Sequence, residues 1–402
     1  MTLNFNEVAK LKEKKINAGD RWAYVADFNT KHKGDELKST ERIDAEIPDI
    51  LHIISQGGKV GVLAHKGRFK DGDAENLDFV VPYLTSKLGH RVVYFPENNT
   101  PAAVEFIKNI RPGMVAVMGN VRQHPGEEKN DPALAEQFAA LAEDVAVGGF
   151  GKAHREEASN VGIQKFKRAY ATDNQLKEMD KLALWAGKDK NTYSVAVLGG
   201  IKKEKITTGL AGFVETYDAV IPGGIVLNTI MRVMGYPVGA SKLEDGGKTF
   251  ERAVSAILSG PHSHKILMPE KVIMAKKIDD GQLIDQRYKP LKEGILEGYQ
   301  SVDFVPSQAQ LDSLETMVSR QGRLILAGTP GIYPQFPEAT EAVLARMRKN
   351  KDRCVVLGGD TAAEVNYDGP SSTGGGSALH FVAYGTTPVF EALRKNFHTF
   401  AH

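Results

Sequence analysis

Cysteine is nearly absent from this chain: Cys354 is the only one in 402 residues. A single thiol excludes a disulfide framework and a thiolate metal cluster, and it suits a reducing compartment. Within "RCVVLGG" it reads as a small buried strand residue. Long apolar runs are also missing. None approaches the ~18 residues of a membrane span, and the opening "MTLNFNEVAK" lacks a basic-then-apolar leader, so a cytoplasmic chain without a membrane is expected. Nor is there an excess of one charge: 51 Lys and Arg stand against 50 Asp and Glu. Such a balance gives no global field to gather nucleic acid, so any basic site must be local. Several signatures are lacking too. No glycine-x-glycine-x-x-glycine opens the first strand-to-helix turn. "KLEDGGKT" fails as a P-loop because Lys242 stands where its first glycine belongs. No histidine pair has zinc-helix spacing, and no serine sits in a nucleophile elbow.

What is present is a repeated unit of a short apolar run, a glycine or polar break, and a stretch with helical spacing. The first half carries "WAYVADFN", "KVGVLAHKG", "RVVYFPE", "MVAVMGNV" and "DVAVGGFG". The second carries "SVAVLGG", "DAVIPGG", "KILMPEKVIM", "RLILAGTPG" and "RCVVLGGD". With hydrophobic residues at 42%, the chain is long enough for two cores. Alternation of this kind predicts an α/β fold of two doubly wound parallel-sheet domains. "NQLKEMDKLALWAG" (174–187) predicts a helix between them, ending on a glycine suited to a C-cap. "KHKGDELKST" (31–40) is polar enough for a loop.

Ligands of open parallel sheets bind beyond the carboxyl ends of the strands, so the residues just after each run are the candidates. In the first half these are Asp27 and Asn29, His65 and Arg68, Arg122 and His124, and His154 and Arg155. Loop cations of this kind are common one at a time, but their repetition points to an anion site, and the planar fork of arginine suits phosphate or carboxylate. The second half offers glycines instead: Gly199 and Gly200, Gly223 and Gly224, Gly328 and Gly331, Gly358 and Gly359, and then "STGGGSA" before a helix. Tight turns alone ask for glycine. Three in a row before a helix also give a polyphosphate close access to main-chain N–H groups and a positive dipole end. A basic pocket and a glycine floor together suggest a kinase that closes over its two substrates.

Seven blocks, in order, give the sequence a resemblance to phosphoglycerate kinases over essentially its whole length: "DFN" (27–29), "ERIDAEIP" (41–48), "HKGR" (65–68), "RQHPGEEKNDP" (122–132), "FGKAHREEAS" (150–159), "GGDTA" (358–362) and "STGGG" (372–376). The resemblance implies an acceptor domain over 1–173, an interdomain helix over 174–189, a nucleotide domain over 190–388 and a tail over 389–402 that returns to the first domain. It implies that Asp27 and Asn29 hold the hydroxy acid, that His65, Arg68, Arg122 and Arg155 grip its phosphate and nearby oxygens, and that Arg42 steadies the group in flight. On the nucleotide side it implies Lys202 with Lys205, the glycines 200, 223, 224, 328, 331, 358 and 359, and Asp360 with Thr361. Asp360 would position metal-nucleotide, or alternatively cap the helix "TAAE". Gly374, Gly375 and Gly376 would start the helix that faces the terminal phosphate, the last two with a catalytic part alongside Arg42 and Lys202. The activity implied is phosphoryl transfer between ATP or ADP and the carboxylate of 3-phosphoglycerate, with Mg²⁺, by a monomer acting on small molecules. No general base is needed, since a carboxylate is already ionised at neutral pH; what the transfer needs is preorganised cations and N–H donors for the charge on the moving group.

The chain departs from the family's pattern mainly near the nucleotide. Leu326, Ala327, Gly328 and Thr329 stand for tryptophan, asparagine, glycine and proline; Pro334 stands where a glutamate meets the ribose; Leu357 replaces a glycine; and Lys205 follows Lys202 by three positions rather than four. In the first half, Val147 and Gly148 replace an asparagine-aspartate pair and Val25 replaces an arginine. Three readings stay open: a divergent working kinase, a kinase for a related phosphorylated acid, and a non-catalytic binder of phosphoglycerate.

Overall fold

The computed structural model describes residues 5–89, 91–243 and 248–400. The first residues of the opening "MTLNFNEVAK" and part of "KLEDGGKT" therefore lie outside the described residues. Two compact units form: residues 2–181 with 387–402, and residues 182–386.

The first unit is built on six parallel strands, β1 (Arg21–Val25), β4 (Lys59–Leu63), β5 (Val92–Phe95), β6 (Val115–Met118), β7 (Asp144–Val147) and β8 (Arg168–Ala171), in the order β5-β6-β4-β1-β7-β8. A two-residue hairpin, β2 (His32–Lys33) and β3 (Glu36–Leu37), lies within the polar stretch expected as a loop. Strands such as β1, β4, β6 and β7 are buried over almost their whole length, because a doubly wound sheet is covered on both faces. Trp22, Tyr24, Ile50, Ile53, Val60, Val62, Val115 and Val117 share one core, each fully buried aliphatic side chain contributing about 1.5–3 kcal/mol. β8 was not expected: "RAYA" is half alanine, which carries little strand preference, and it forms because β7 offers a parallel partner, Asp144 opposite Arg168. The last helix, Pro388–Thr399, packs on β8, where the Asn396 amide bonds Ala169 N (2.8 Å) and the Lys167 carbonyl (2.8 Å).

The second unit holds β9 (Ser194–Leu198), β10 (Ala219–Pro222), β11 (Lys271–Lys277), β12 (Leu283–Pro290), β13 (Tyr299–Val305), β14 (Arg323–Ala327), β15 (Cys354–Leu357) and β16 (Ser371–Ser372). Its main sheet is parallel, in the order β10-β9-β14-β15-β16. A three-stranded antiparallel sheet, β12-β11-β13, adds to the parallel plan. β11 begins only at Lys271, after Pro269, so the run "KILMPEKVIM" is not one strand. β12 escaped the pattern because most of its residues are polar and exposed.

The helix expected over 174–187 runs Asp173–Leu182 and continues as one tighter turn, Ala183–Trp185. Beyond it the carbonyls are taken by the buried guanidinium of Arg323, which donates to Leu184 O (3.0 Å) and Ala186 O (3.4 Å), and the chain turns at Gly187 with φ of 59°.

Candidate functional site

In the first unit the loops after β1, β4, β6 and β7 bring the expected acceptor residues to one sheet edge. Asp27 follows β1 and is buried; its Oδ2 accepts from Arg42 Nη1 at 2.9 Å, and its Oδ1 accepts from the Asn29 main-chain N at 3.2 Å. Arg42 stands in the first turn of the helix Glu41–Ser55. His65, after β4, is buried, and its pKa is held well below the usual imidazole range, first by burial and then by the charges of Lys152, Arg122, Arg155 and Arg42. That one imidazole senses four cations from two separate loops and a helix shows their convergence, and it keeps His65 neutral.

The cations differ in how free they are. Arg122 is 0% exposed and already engaged: Nη1 lies 3.1 Å from Glu128 Oε1, and Nη2 forms a close pair with Glu157. Arg155 keeps 31% of its side chain exposed and lies 3.8 Å from the same Glu157 oxygen. Arg68 is half-buried, and its main-chain N donates to Asp73 Oδ1 at 2.6 Å. Asn29 is exposed. His124 serves a structural purpose: its Nε2 lies 2.7 Å from Asn98 Oδ1, and burial lowers its pKa.

Buried carboxyls support this edge. Glu46 accepts from Tyr24 Oη (2.7 Å), Gly149 N (2.8 Å) and Asn174 Nδ2 (3.2 Å), and burial raises its pKa from 4.5 to about 7. Gly148 is required here, because a Cβ would fall 2.3 Å from Glu46 Oε2 and 2.9 Å from Tyr24 Oη. The aspartate that the resemblance leads one to expect at 148 is sterically incompatible with this pair. Glu127 accepts from Ser159 Oγ (2.6 Å) and Ser159 N (3.0 Å); burial and then the Glu157 charge raise it to about 7.

In the second unit the glycines divide into two groups. A Cβ on Gly199 would fall 2.1 Å from Thr329 O, one on Gly224 2.3 Å from Gly200 O, one on Gly328 2.5 Å from Gly199 O, and one on Gly223 2.6 Å from Pro330 Cα. Main chain packs on main chain after β9, β10 and β14, and this alone demands glycine. Gly331 answers to the buried Asp303, whose Oδ1 would lie 2.4 Å away. Others border open space: Gly375 has nothing within 4 Å, Gly200 only Gly328 Cα at 3.9 Å, and Gly358 and Gly359 nothing closer than 3.4 Å. Gly200 follows β9, and the rest of the open set lies at the starts of two helices, Gly359–Val365 and Gly375–Tyr384, the second capped by Gly374. A ligand can approach the main chain there.

Asp360 is exposed in the first turn of the helix Gly359–Val365; Gly358 takes the capping position, so Asp360 does not act as the cap. One turn on, burial raises the pKa of Glu364, the bond from Thr329 Oγ1 (3.4 Å) opposes this, and the charge of Asp360 adds to it. Lys202 is exposed, while burial and then the Lys202 charge bring Lys205 down to about 8. Among the described residues, no group of three or more His, Cys, Asp or Glu side chains could hold a metal by itself.

Lys152, Glu157 and Glu364 belong to these clusters without having been singled out in the sequence. The signal for the first was available: a lysine between Gly151 and Ala153, just past a strand, is an unusual residue to bury.

Comparison with known proteins places these features in context. A family model described as "Phosphoglycerate kinase" matches residues 15–384. A phosphoglycerate kinase of Pseudothermotoga lettingae is 31% identical over 387 residues, covering 93% of this chain and 96% of the relative. One from Thermus thermophilus is 30% identical over 386 residues, covering 93% and 97%. The solved phosphoglycerate kinase structures from Pyrococcus horikoshii (TM-score 0.71) and Coxiella burnetii (TM-score 0.70) each cover 98% of this chain and 100% of their own, at 23% identity, a likeness that speaks for the fold.

Proposed function

The chain belongs to the phosphoglycerate kinase family, and from that membership we propose that it transfers a phosphoryl group directly between ATP or ADP and the carboxylate of 3-phosphoglycerate, without a covalent enzyme intermediate. The observation that carries the reading is the convergence of Arg42, Arg122, Arg155 and Lys152 on His65 beside Asp27. A dianionic phosphate and a carboxylate need such a set of preorganised cations.

In this reading Asp27 and Asn29 orient the acceptor's hydroxyl and carboxylate, and Arg68, Arg122 and Arg155 hold its phosphate with neutral His65 as a hydrogen-bond partner. Arg42, the cation tied to Asp27, stands where charge grows on the moving group. In the nucleotide unit, Gly200, Gly358, Gly359 and Gly374 admit the polyphosphate to the main chain, with Thr361 beside them, while Gly223, Gly224, Gly328 and Gly331 fix the floor on which it lies. Gly375 and Gly376 present helix N–H groups to the terminal phosphate. Lys202 accompanies the transferred group, with Lys205 behind it. When bound, Mg²⁺ supplies charge neutralisation on the phosphate oxygens, and Asp360 would hold it. Closure of the units brings the two reactants into line and keeps water out.

The test is an ADP-release assay over a panel of phosphorylated carboxylic acids, with calorimetry on each substrate. Turnover with 3-phosphoglycerate above every other acid is expected. Faster turnover with a different acid would replace the substrate, and tight 3-phosphoglycerate binding with silence for every nucleotide would leave only a binding function.

A further inference from the structure

We propose that Lys152 is a further anion-binding residue of the acceptor site, making a direct ionic contact with 3-phosphoglycerate; this rests on the acceptor-site reading above. Lys152 ends the turn Phe150–Lys152 that follows β7, and it is only 2% exposed. Among the described residues its Nζ has no hydrogen-bond partner and forms no ion pair. A buried ammonium left unpaired is costly, and proteins pair such groups or keep them for a ligand.

The neighbouring carboxylates do not take the role of partner. Glu127 accepts from the Ser159 hydroxyl and main-chain N, and although the Lys152 charge opposes the rise in its pKa, the two form no ion pair among the described residues. Glu157 spends Oε1 on Arg122 and Arg155, its Oε2 is buried without a hydrogen-bond partner, and it forms no ion pair with Lys152 among the described residues. The side chain instead runs along Gly149: a Cβ there would lie 3.2 Å from Lys152 Cε and 3.1 Å from Asp27 N. Its charge is also the largest ionic influence on His65, ahead of Arg122, Arg155 and Arg42. Lys152 thus neighbours both of the acceptor's expected anchors, Asp27 and His65.

The charge arithmetic of the pocket agrees. Glu157 and Glu128 neutralise Arg122 within the protein, and Glu157 also draws on Arg155. Two of the expected phosphate-gripping arginines are therefore partly spent before any acceptor arrives. Lys152 adds a positive charge that pairs with no carboxylate among the described residues. A small acid carrying both a phosphate and a carboxylate is the class of ligand that would take it.

Lys152→Met separates this role from that of a structural counter-ion. Calorimetry with 3-phosphoglycerate should show binding weakened by about 10- to 100-fold, with Mg-ATP affinity within about twofold and the unliganded melting temperature unchanged or raised. In the wild-type chain, the Lys152 ¹³Cε resonance, assigned by its loss in Lys152→Met, should shift on titration with 3-phosphoglycerate and stay in place with Mg-ATP. A variant that melts earlier yet binds 3-phosphoglycerate as the wild type does, or a resonance that does not respond, overturns the proposal and leaves the kinase reading intact. Failure of the wild-type chain to bind 3-phosphoglycerate would overturn both.

Discussion

Glu46→Gln exchanges a buried titrating group for a neutral one of the same size, and the structure sets the scale of the effect. Burial raises the Glu46 carboxyl from 4.5 to about 7, although Tyr24 and Gly149 both donate to it. A difference of about 2.5 pH units corresponds to about 3 kcal/mol. Because the folded value is the higher one, the folded chain keeps a proton that the unfolded chain has released across this window. The contribution of Glu46 to stability is therefore full below pH 4.5 and is lost as pH rises to about 7. The two tryptophans lie in different units, Trp22 in β1 and Trp185 in the other, so a Trp185→Phe background makes fluorescence report the first unit alone. Urea unfolding is measured near pH 5 and near pH 8. The parent should lose about 3 kcal/mol more stability between the two than its Glu46→Gln derivative. Glu127 also titrates near 7, but it is common to both proteins and cancels. Equal losses would refute the assignment of that proton to Glu46.

Other outcomes follow from the same geometry. Arg42→Ala should lower kcat by about 10²- to 10³-fold while the acceptor KM changes only a few-fold, because its contact strengthens as charge moves; parallel losses in binding and turnover would remove Arg42 from the transfer step. Asp360→Asn should raise the Mg²⁺ concentration needed for half-maximal activity, and an unchanged Mg²⁺ curve would deny Asp360 that role. Gly148→Ala drives a methyl group into Glu46 and Tyr24, so the thermal transition of the first unit should weaken by about 1–3 kcal/mol. Full stability in that variant would show that the close approach relaxes freely.

Much of the parallel framework was legible because fully buried strands leave short apolar runs that stop at glycine, as in "KVGVLAHKG" and "RCVVLGGD". β8 and β12 were not legible, for opposite reasons. The alanines of β8 carry little preference, and its place depends on β7; β12 is held by pairing with β11 while most of its side chains face water. The expected acceptor cations could be placed at one sheet edge from their position after strands. Their ionic state could not, since pairing of Arg122 with Glu157 depends on how the loops after β6 and β7 meet, and Glu128 joins from the same loop as Arg122. The glycines of the second half looked alike in sequence. Only the packing separates those that press main chain on main chain, such as Gly199 and Gly224, from those bordering open space, such as Gly375.

The central claim is that this chain moves a phosphoryl group between a nucleotide and a carboxylate. ³¹P NMR of the protein with Mg-ATP and 3-phosphoglycerate, with hydroxylamine present to trap the acyl phosphate, tests it most directly. ADP, trapped hydroxamate and the inorganic phosphate released on trapping should form in equal amounts, with none of them formed when 3-phosphoglycerate is omitted. ATP that stays intact while 3-phosphoglycerate is bound, or ADP that appears with inorganic phosphate and no acyl product, would contradict it.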